Sequence, residues 1–465
     1  MNNNIKINMP INVRFIIDKL YEHSKPTYIV GGCVRDAILG IEPKDWDICT
    51  QAHPDEIIKI LKPGIYNFEN NEIHIKNIIP TGIKYGTITF NINDELYEIT
   101  TFRKETGYSD NRHPDKIIYA DDIFSDLARR DFTCNSMAYN NFNGLIDPYN
   151  GYYHIQSKIL CSTGSANDRF KEDALRILRA IRFASKYNWQ LTADMHTSIL
   201  DCYNSIATIS KERIRDELCK ILQCEYCDSF LWKYSEIIAL IIPELKNCIG
   251  FEQHNPYHEY DVYTHMLKTI KNCPSKDIIT RFALFLHDIG KPQCAIKDEK
   301  DPTRLHFYGH GEVSAHIAKK VVSDLKFDND TKHKIEELVL HHDTQFTVSE
   351  RFIRKWLNKI GPEQFERLLD VRESDIKGQR KEFYNERLEK IRNMRKLYQE
   401  MMTKEQCFNL KDLNIKGNDL IALGIKKGPI IGQILNELLE KVINEELEND
   451  QEILINYVKQ HKLQE

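Results

Sequence analysis

No apolar run in this 465-residue chain is longer than the six residues Ile237–Ile242 (IIALII), far short of the roughly 20 that a membrane-spanning helix needs. The opening segment, MNNNIKINMP, carries no secretory apolar core, so the expectation is a soluble, cytoplasmic protein with no membrane partner. Neither sign of charge dominates: 64 Lys+Arg stand against 69 Asp+Glu, a net charge of -5. That balance excludes a global basic field, and any nucleic-acid surface must be local. A disulfide framework is missing too, because the 12 Cys lie scattered, mostly within apolar stretches, and read as reduced thiols. The close pair Cys224 and Cys227 has no second pair and no His at zinc-finger spacing, which argues against a structural metal there. Internal repeats and low-complexity tracts are absent as well. What remains is an ordinary globular composition, 41% hydrophobic and 29% charged, long enough for about three domains rather than one.

From Tyr28 to about Tyr139 short apolar runs alternate with helical stretches and Gly, Pro and Asn turns. Residues 86–102, GTITFNINDELYEITTF, are two β-rich runs around Asn93-Asp94, a hairpin signal. From Asp168 onward apolar residues recur at helical spacing, as in EDALRILRAIRFASKY and SKERIRDELCKILQC. A polar stretch, FEQHNPYHEYDVY, then precedes a block holding most of the histidines. The expected organisation is an α+β head over residues 1–150, a helical neck over 151–250, a His-rich helical domain over 251–380 and a helical tail over 381–465.

The strand-like YIV leads into Gly31-Gly32-Cys-Val-Arg35-Asp36, and Asp45-Trp46-Asp47 opens another β run. Two glycines after a strand let a phosphate approach the backbone, and Arg35 offers a donor fork that matches it. Carboxylates two apart on a strand face one side, so Asp45 and Asp47 can share divalent metal ions that activate a hydroxyl and hold a departing pyrophosphate. Glu98, on the second hairpin strand, is either a third carboxylate or an exposed strand residue. Arg129-Arg130-Asp131 and Asn135 form a dense polar cluster where cations and an amide could meet a triphosphate. In Asp173-Ala-Leu-Arg176-Ile-Leu-Arg179-Ala-Ile-Arg182 polar residues recur every third position beside an apolar stripe of Leu175, Leu178 and Ile181. Asp accepts from the exocyclic amine of cytosine or adenine and Arg donates to the adjacent ring nitrogen, a pairing that uracil and guanine cannot match. Such a pair selects CTP and ATP without a nucleic-acid template.

GGCVRDAILG-IEPKDWD, YEITTFR, DNRHP, LARRDFTCNSMAYN, LIDPYNG and EDALRILRAIRFA resemble the successive motifs of class II tRNA nucleotidyltransferases, the CCA-adding enzymes and their poly(A) polymerase relatives, over roughly residues 25–220. The resemblance implies a polymerase-β-like nucleotidyltransferase head, a mixed sheet with helices, followed by all-α neck, HD and tail domains. It implies Mg²⁺ on Asp45 and Asp47, triphosphate contacts from Gly32 and Arg35, and nucleotide contacts from Arg130, Asp173, Arg176, Arg179 and Arg182. The loop Asp110–Pro114 resembles a flexible element that helps switch from C to A addition. GNDL, the Gly-rich turn after it and Asn449 resemble a tRNA-holding tail.

His287-Asp288 lies in RFALFLHDIGKP, where adjacent His and Asp suggest ligands gathered at a helix end. His265 precedes it, and His310, the adjacent pair His341-His342 and Asp375 follow. Histidines and carboxylates from several helices favour a transition-metal site, with an Asp able to bridge two ions. This order resembles the HD metal-dependent phosphohydrolase superfamily over about residues 258–380. The resemblance implies that His265, His287, Asp288 and Asp375 hold one divalent metal (Ni, Mn or similar, or Mg²⁺), and that His310 with one of the adjacent pair, His341 preferred, holds a second. His306 and His316 read as surface residues. Lys291 fits either a phosphate contact or a solvated helix end.

Together these readings point to a template-independent CCA-adding enzyme acting on tRNA with CTP and ATP, carrying a phosphatase or 2′,3′-cyclic phosphodiesterase site in the HD domain. CC-adding, A-adding and poly(A) polymerase activities share the motifs. A third reading makes HD phosphohydrolysis the main activity and the head an RNA-binding device. Basic stretches at 210–220 and 351–399, with Trp356, Phe365, Phe383 and Tyr384 interleaved, could track an RNA backbone, although their alternating acidic residues fit a salt-bridged helix equally well.

Overall fold

The computed structural model describes residues 5–80, 82–106, 116–403 and 409–461. The chain folds as two compact units divided between Phe230 and Leu231, so the segment expected as the neck contributes to both.

Unit one is built on an eight-stranded sheet. Its order is Gly144–Ile146, Ala138–Asn140, Thr27–Val30, Ile48–Thr50, Glu95–Thr101, Thr87–Ile92, Asn71–Ile79, Gly64–Phe68. All neighbours are antiparallel except Ile48–Thr50 with Glu95–Thr101, which makes the sheet mixed. The hairpin at Asn93-Asp94 forms, with φ of 51° and 68° at the two turn residues, the left-handed pair that a tight two-residue turn demands. Along Thr87–Ile92 the side chains alternate, with Ile88, Phe90 and Ile92 buried. The amphipathic helix Ile11–Glu22 buries Val13, Phe15, Ile16, Ile17 and Leu20, and Phe15 packs its ring 5.3 Å from Tyr66 and 5.7 Å from Phe68. Helices follow: Ala166–Glu172, Leu175–Tyr187, Ala193–Cys202 and Lys211–Leu222. Leu175–Tyr187 buries Ile177, Leu178 and Ile181 and packs on Lys211–Leu222.

Unit two is helical. Val262–Lys271, Ile278–Leu286 and Asn329–His341 each begin with the same cap, Asp261, Asp277 and Asp328 accepting the backbone N–H of Thr264, Thr280 and Thr331. Ile278–Leu286 is buried from Ile279 to Leu286, the central helix of the unit, and its run ends at His287-Asp288. The span Glu350–Lys377 breaks at Gly361 (φ 79°) before Pro362, whose ring cannot continue a helix, and its second part carries Asp375. Toward the C-terminus, Gly417–Ala422, Pro429–Ile443 and Gln451–His461 close over Leu420, Leu438 and Leu454.

The expectation of an all-α remainder meets two small exceptions. Ile159–Leu160 pairs with Gln190–Leu191, and Ile296–Lys297 pairs with Leu305–His306, the second closed by a polar turn in which Asp298 accepts from the backbone of Lys300 and Asp301. Among the described residues no helix is long and apolar enough to cross a membrane.

Ile99 is fully buried on the strand that carries the parallel junction. Ile99→Ala is expected to destabilise unit one by about 2–5 kcal/mol, read as a lower urea midpoint of the far-UV transition.

Candidate functional site

The end of the strand Thr27–Val30 turns sharply at Gly31, which has φ 76° and donates its N–H to Met137. The backbone angle favours glycine, and a Cβ at Gly31 would lie 2.6 Å from Arg130 Nη1 and push that guanidinium aside. Gly32 then opens the helix Gly32–Ile38, whose Arg35 is buried under the rings of Phe183 (5.0 Å) and Tyr187 (5.5 Å). Its guanidinium donates to Asn135 Oδ1 and Asp36 Oδ1.

Asp47 sits immediately before the strand Ile48–Thr50, with its carbonyl still accepting from Val30 N–H at 3.0 Å. The acidic pair therefore precedes the strand rather than lying on it. Asp47 lines a cavity of about 470 Å³. The enclosing walls raise its carboxyl above the ordinary range, Arg130 opposes that shift, and the charge of Asp45 adds to it. A divalent cation would relieve the crowding of these two oxygen donors, and hard oxygen ligands suit Mg²⁺. Glu98 is exposed on Glu95–Thr101, and among the described residues no three-ligand group joins it to Asp45 and Asp47.

Asp126, fully buried near the end of the helix Ile123–Ala128, holds Arg129 on one oxygen (2.8 Å) and Arg130 on the other (3.1 Å). Burial alone would raise its carboxyl; the two arginines outweigh it and hold the group below the usual range. Asp131 grips Arg179 through Nε at 2.8 Å and accepts from Asn135 at 3.0 Å. There too burial is outweighed, by Arg179 and the Asn135 hydrogen bond, and the carboxyl falls to about 2.

Asp173 lies in the break between the helices Ala166–Glu172 and Leu175–Tyr187 rather than on one continuous helix. One oxygen accepts from Leu175 N–H at 3.0 Å and the other pairs with Arg213 at 2.7 Å. Arg176 pairs with Glu172 at 2.6 Å. Gly32, Arg35, Arg130, Asp173, Arg176 and Arg179 line the cavity with Asp47, whereas Asp45 is not among its lining residues. Arg182 does not: it stacks on Phe183 and pairs with Glu217 at 2.6 Å, which turns it to the helix Lys211–Leu222. Asp126 and Arg213 were missed. LARRD implied a cluster but gave no sign that the Asp three residues before Arg129 anchors it, and Arg213 comes from a helix distant in sequence. The Asp110–Pro114 loop lies outside the described residues.

The second site belongs to unit two. Asp288 Oδ2 lies 3.3 Å from His265 Nε2 and 3.2 Å from His287 Nε2, while Oδ1 lies 3.4 Å from His310 Nε2 and 3.6 Å from His342 Nε2. Asp375 stands 3.1 Å from His265 Nε2, and Lys291 Nζ reaches Asp288 Oδ2 at 2.7 Å. Each ring is held from behind by a carbonyl, which can only accept: Gly378 for His265, Leu284 for His287, Phe307 for His310 and Val339 for His342. Nδ1 is thus the protonated nitrogen in the neutral ring, and four Nε2 lone pairs converge on one carboxylate. Such a set repels itself unless cations fill it. Two ligand groups, His265-His287-Asp288 and Asp288-His310-His342, share Asp288, and the mixture of imidazole and carboxylate fits divalent transition metals.

The expected His341 is replaced by its neighbour. The His341 ring stands edge-on to Trp356 at 5.0 Å, and burial, with Lys359, pushes it down to about 4; one residue further round the helix end, His342 enters the cluster. His316 is exposed, and His306 pairs with Asp298 and stacks on Tyr308. Neither Cys224 nor Cys227 joins a three-ligand group among the described residues.

Comparison with known proteins supports the nucleotidyltransferase resemblance. The family model for the poly A polymerase head domain matches residues 27–161, that for the "Probable RNA and SrmB- binding site of polymerase A" matches 189–248, and that for tRNA nucleotidyltransferase domain 2 matches 307–458. The CCA-adding enzyme of Lactobacillus delbrueckii subsp. bulgaricus is 39% identical over 206 residues, 44% of this chain; the match spans about half of that relative, 48%. That of Ligilactobacillus salivarius is 27% identical over 453 residues, covering 96% of this chain and 95% of its own. In fold, the chain is similar to the CCA-adding enzyme of Bacillus stearothermophilus in complex with CTP (TM-score 0.69, 24% identity, 97% of both chains). It is also similar to that of Thermotoga maritima complexed with tRNA (TM-score 0.56, 19% identity, 96% of this chain and 94% of the other).

Two outcomes follow from this geometry. Asp131 has a folded-state pKa below its unfolded value near 3.9, so its contribution of about 2 kcal/mol is complete above that pH and lost as pH falls toward 2. The stability difference between wild type and Asp131→Asn, measured by urea unfolding, is therefore expected to shrink between pH 4 and pH 2. His342→Ala is expected to weaken Mn²⁺ or Ni²⁺ binding at one of two sites by at least about tenfold, while His341→Ala stays within about twofold, both read by calorimetric titration.

Proposed function

Because this chain belongs to the class II CCA-adding enzyme and poly(A) polymerase family, we propose that it is a template-independent CCA tRNA nucleotidyltransferase adding C, C and A to tRNA 3′ ends from CTP and ATP. The observation that carries this reading is one cavity lined both by Asp47, a carboxylate of the acidic pair suited to metal, and by Asp173 with Arg176, an Asp/Arg pair suited to a base.

Gly31 and Gly32 leave room for the triphosphate at the start of Gly32–Ile38, and Arg35, Arg129 and Arg130 supply charge to it. Asp126 keeps Arg129 and Arg130 extended into the cavity before substrate arrives. Asp45 and Asp47 would hold Mg²⁺, which when bound supplies an activated 3′-hydroxyl and a charge partner for pyrophosphate. Asp173 accepts from the exocyclic amine of cytosine or adenine once Arg213 yields one oxygen, and Arg176 donates to the ring nitrogen. The 3′-oxygen attacks the α-phosphorus, the bond to the bridging oxygen breaks, and pyrophosphate leaves.

The second cavity, about 540 Å³ and lined by Asp288, Lys291, His310, His342 and Asp375, is read as a metal-dependent phosphohydrolase acting on phosphate esters at RNA ends. Asp288 and the four imidazoles would hold the metals, and Lys291 and Arg387 place positive charge beside the bound phosphate.

Paired variants test this. Asp47→Ala is expected to lower extension of tRNA lacking CCA to about a thousandth of wild type or less and leave hydrolysis intact. His287→Ala is expected to do the reverse. Wild-type extension by the Asp47→Ala protein would refute the head assignment, and unchanged hydrolysis by His287→Ala would refute the second.

A further inference from the structure

The polar segment before Val262–Lys271 folds against the histidine cluster and brings a further imidazole, His258, into the same cavity. Its protonation is set by Asn255. Asn255 Oδ1 accepts from the backbone N–H of Tyr257 (3.1 Å) and of His258 (3.2 Å), and its Nδ2 donates to the Gln253 carbonyl (3.3 Å). The amide is therefore oriented with its oxygen toward His258, whose Nδ1 stands 2.8 Å away and must carry the proton. The lone pair of His258 is left on Nε2.

That nitrogen is buried and has no hydrogen-bond partner among the described residues. An unmet buried acceptor is unfavourable, and the nearby cation does not meet it: Lys291 Nζ is occupied by Gln253 Oε1 at 2.8 Å and Asp288 Oδ2 at 2.7 Å. The His258 ring stands edge-on to His265, 4.8 Å between centroids at 84°, and it is held from behind as the four candidate ligands are. Yet it belongs to neither three-ligand group that shares Asp288. His258 lines the same cavity as Asp288, His310 and His342, and a donor O–H there would meet the unfilled lone pair.

We propose that His258 is a positioning residue of this second site: its Nε2 accepts a hydrogen bond from the attacking water and so orients that water toward the substrate phosphorus, while His265, His287 and Asp288 would hold the ion that activates it. This rests on the phosphohydrolase reading given above. The histidine acts as an acceptor, and no proton transfer to it is invoked.

The test uses the full chain as wild type, His258→Ala and His258→Gln, with Mn²⁺ affinity from calorimetry and kinetics on bis(p-nitrophenyl) phosphate. Expected are Mn²⁺ affinities within about threefold of wild type for both variants. In His258→Ala kcat should fall by about 30-fold or more at a KM within about threefold. His258→Gln, whose amide oxygen can accept, should regain at least about fivefold over His258→Ala. A Mn²⁺ affinity lowered more than about tenfold would make His258 a direct ligand and overturn the proposal. Equal rates for the Gln and Ala variants, or an unchanged kcat in His258→Ala, would overturn it as well. A wild-type protein that binds Mn²⁺ but hydrolyses no diester would overturn the phosphohydrolase reading and this inference together, whereas normal wild-type hydrolysis with an unaffected His258→Ala overturns the inference alone.

Discussion

The organisation of the first site depends on neutralising arginines that burial brings together. Arg35, Arg129, Arg130, Arg176 and Arg179 line one cavity, and without counter-charges their mutual repulsion and lost hydration would open it. Asp126 and Asp131 prevent this from inside the fold, one holding Arg129 and Arg130, the other holding Arg179. Five guanidinium groups against these two carboxylates leave the cavity an excess of positive charge suited to a ligand with several negative charges. A nucleoside triphosphate has that form. The glycine at position 31 belongs to the same device, since any side chain there would displace Arg130.

The second site solves the opposite problem with the same economy of parts. Here a single buried carboxylate, Asp288, gathers four imidazole nitrogens together with the Lys291 ammonium. Burial would favour its neutral form, but His287 and Lys291 hold it well below the usual carboxylate range. The backbone carbonyls behind the four rings decide the outcome, because they fix which nitrogen of each ring is free. The first cavity presents donors suited to an anion, and the second gathers acceptors suited to cations.

Much of this was legible in the sequence where function is local. The GG turn, the hairpin at Asn93-Asp94 and the His287-Asp288 pair each sit in short segments whose backbone geometry follows from the residues themselves, whereas Asp45 and Asp47 precede the strand on which their spacing had placed them. Legibility failed where position depended on a partner far along the chain. Arg182 looked like part of a reading face by periodicity, but Glu217 on another helix captures it. His341 and His342 are adjacent, and only the exact point at which the helix Asn329–His341 ends decides which one faces Asp288. Asp173 seemed to share a helix with Arg176, yet its side chain caps the helix start from the preceding break. His258 was invisible because its role depends on how Asn255 orients it.

The central claim is that the first cavity builds a defined three-nucleotide end. Its most direct measurement is product length at single-nucleotide resolution after incubating the protein with tRNA lacking CCA, Mg²⁺, and CTP or ATP singly and together. The account predicts addition of two residues with CTP alone, and of three, with no further growth, when both are present. An open-ended ladder, extension satisfied by one nucleotide alone, or no extension would contradict it.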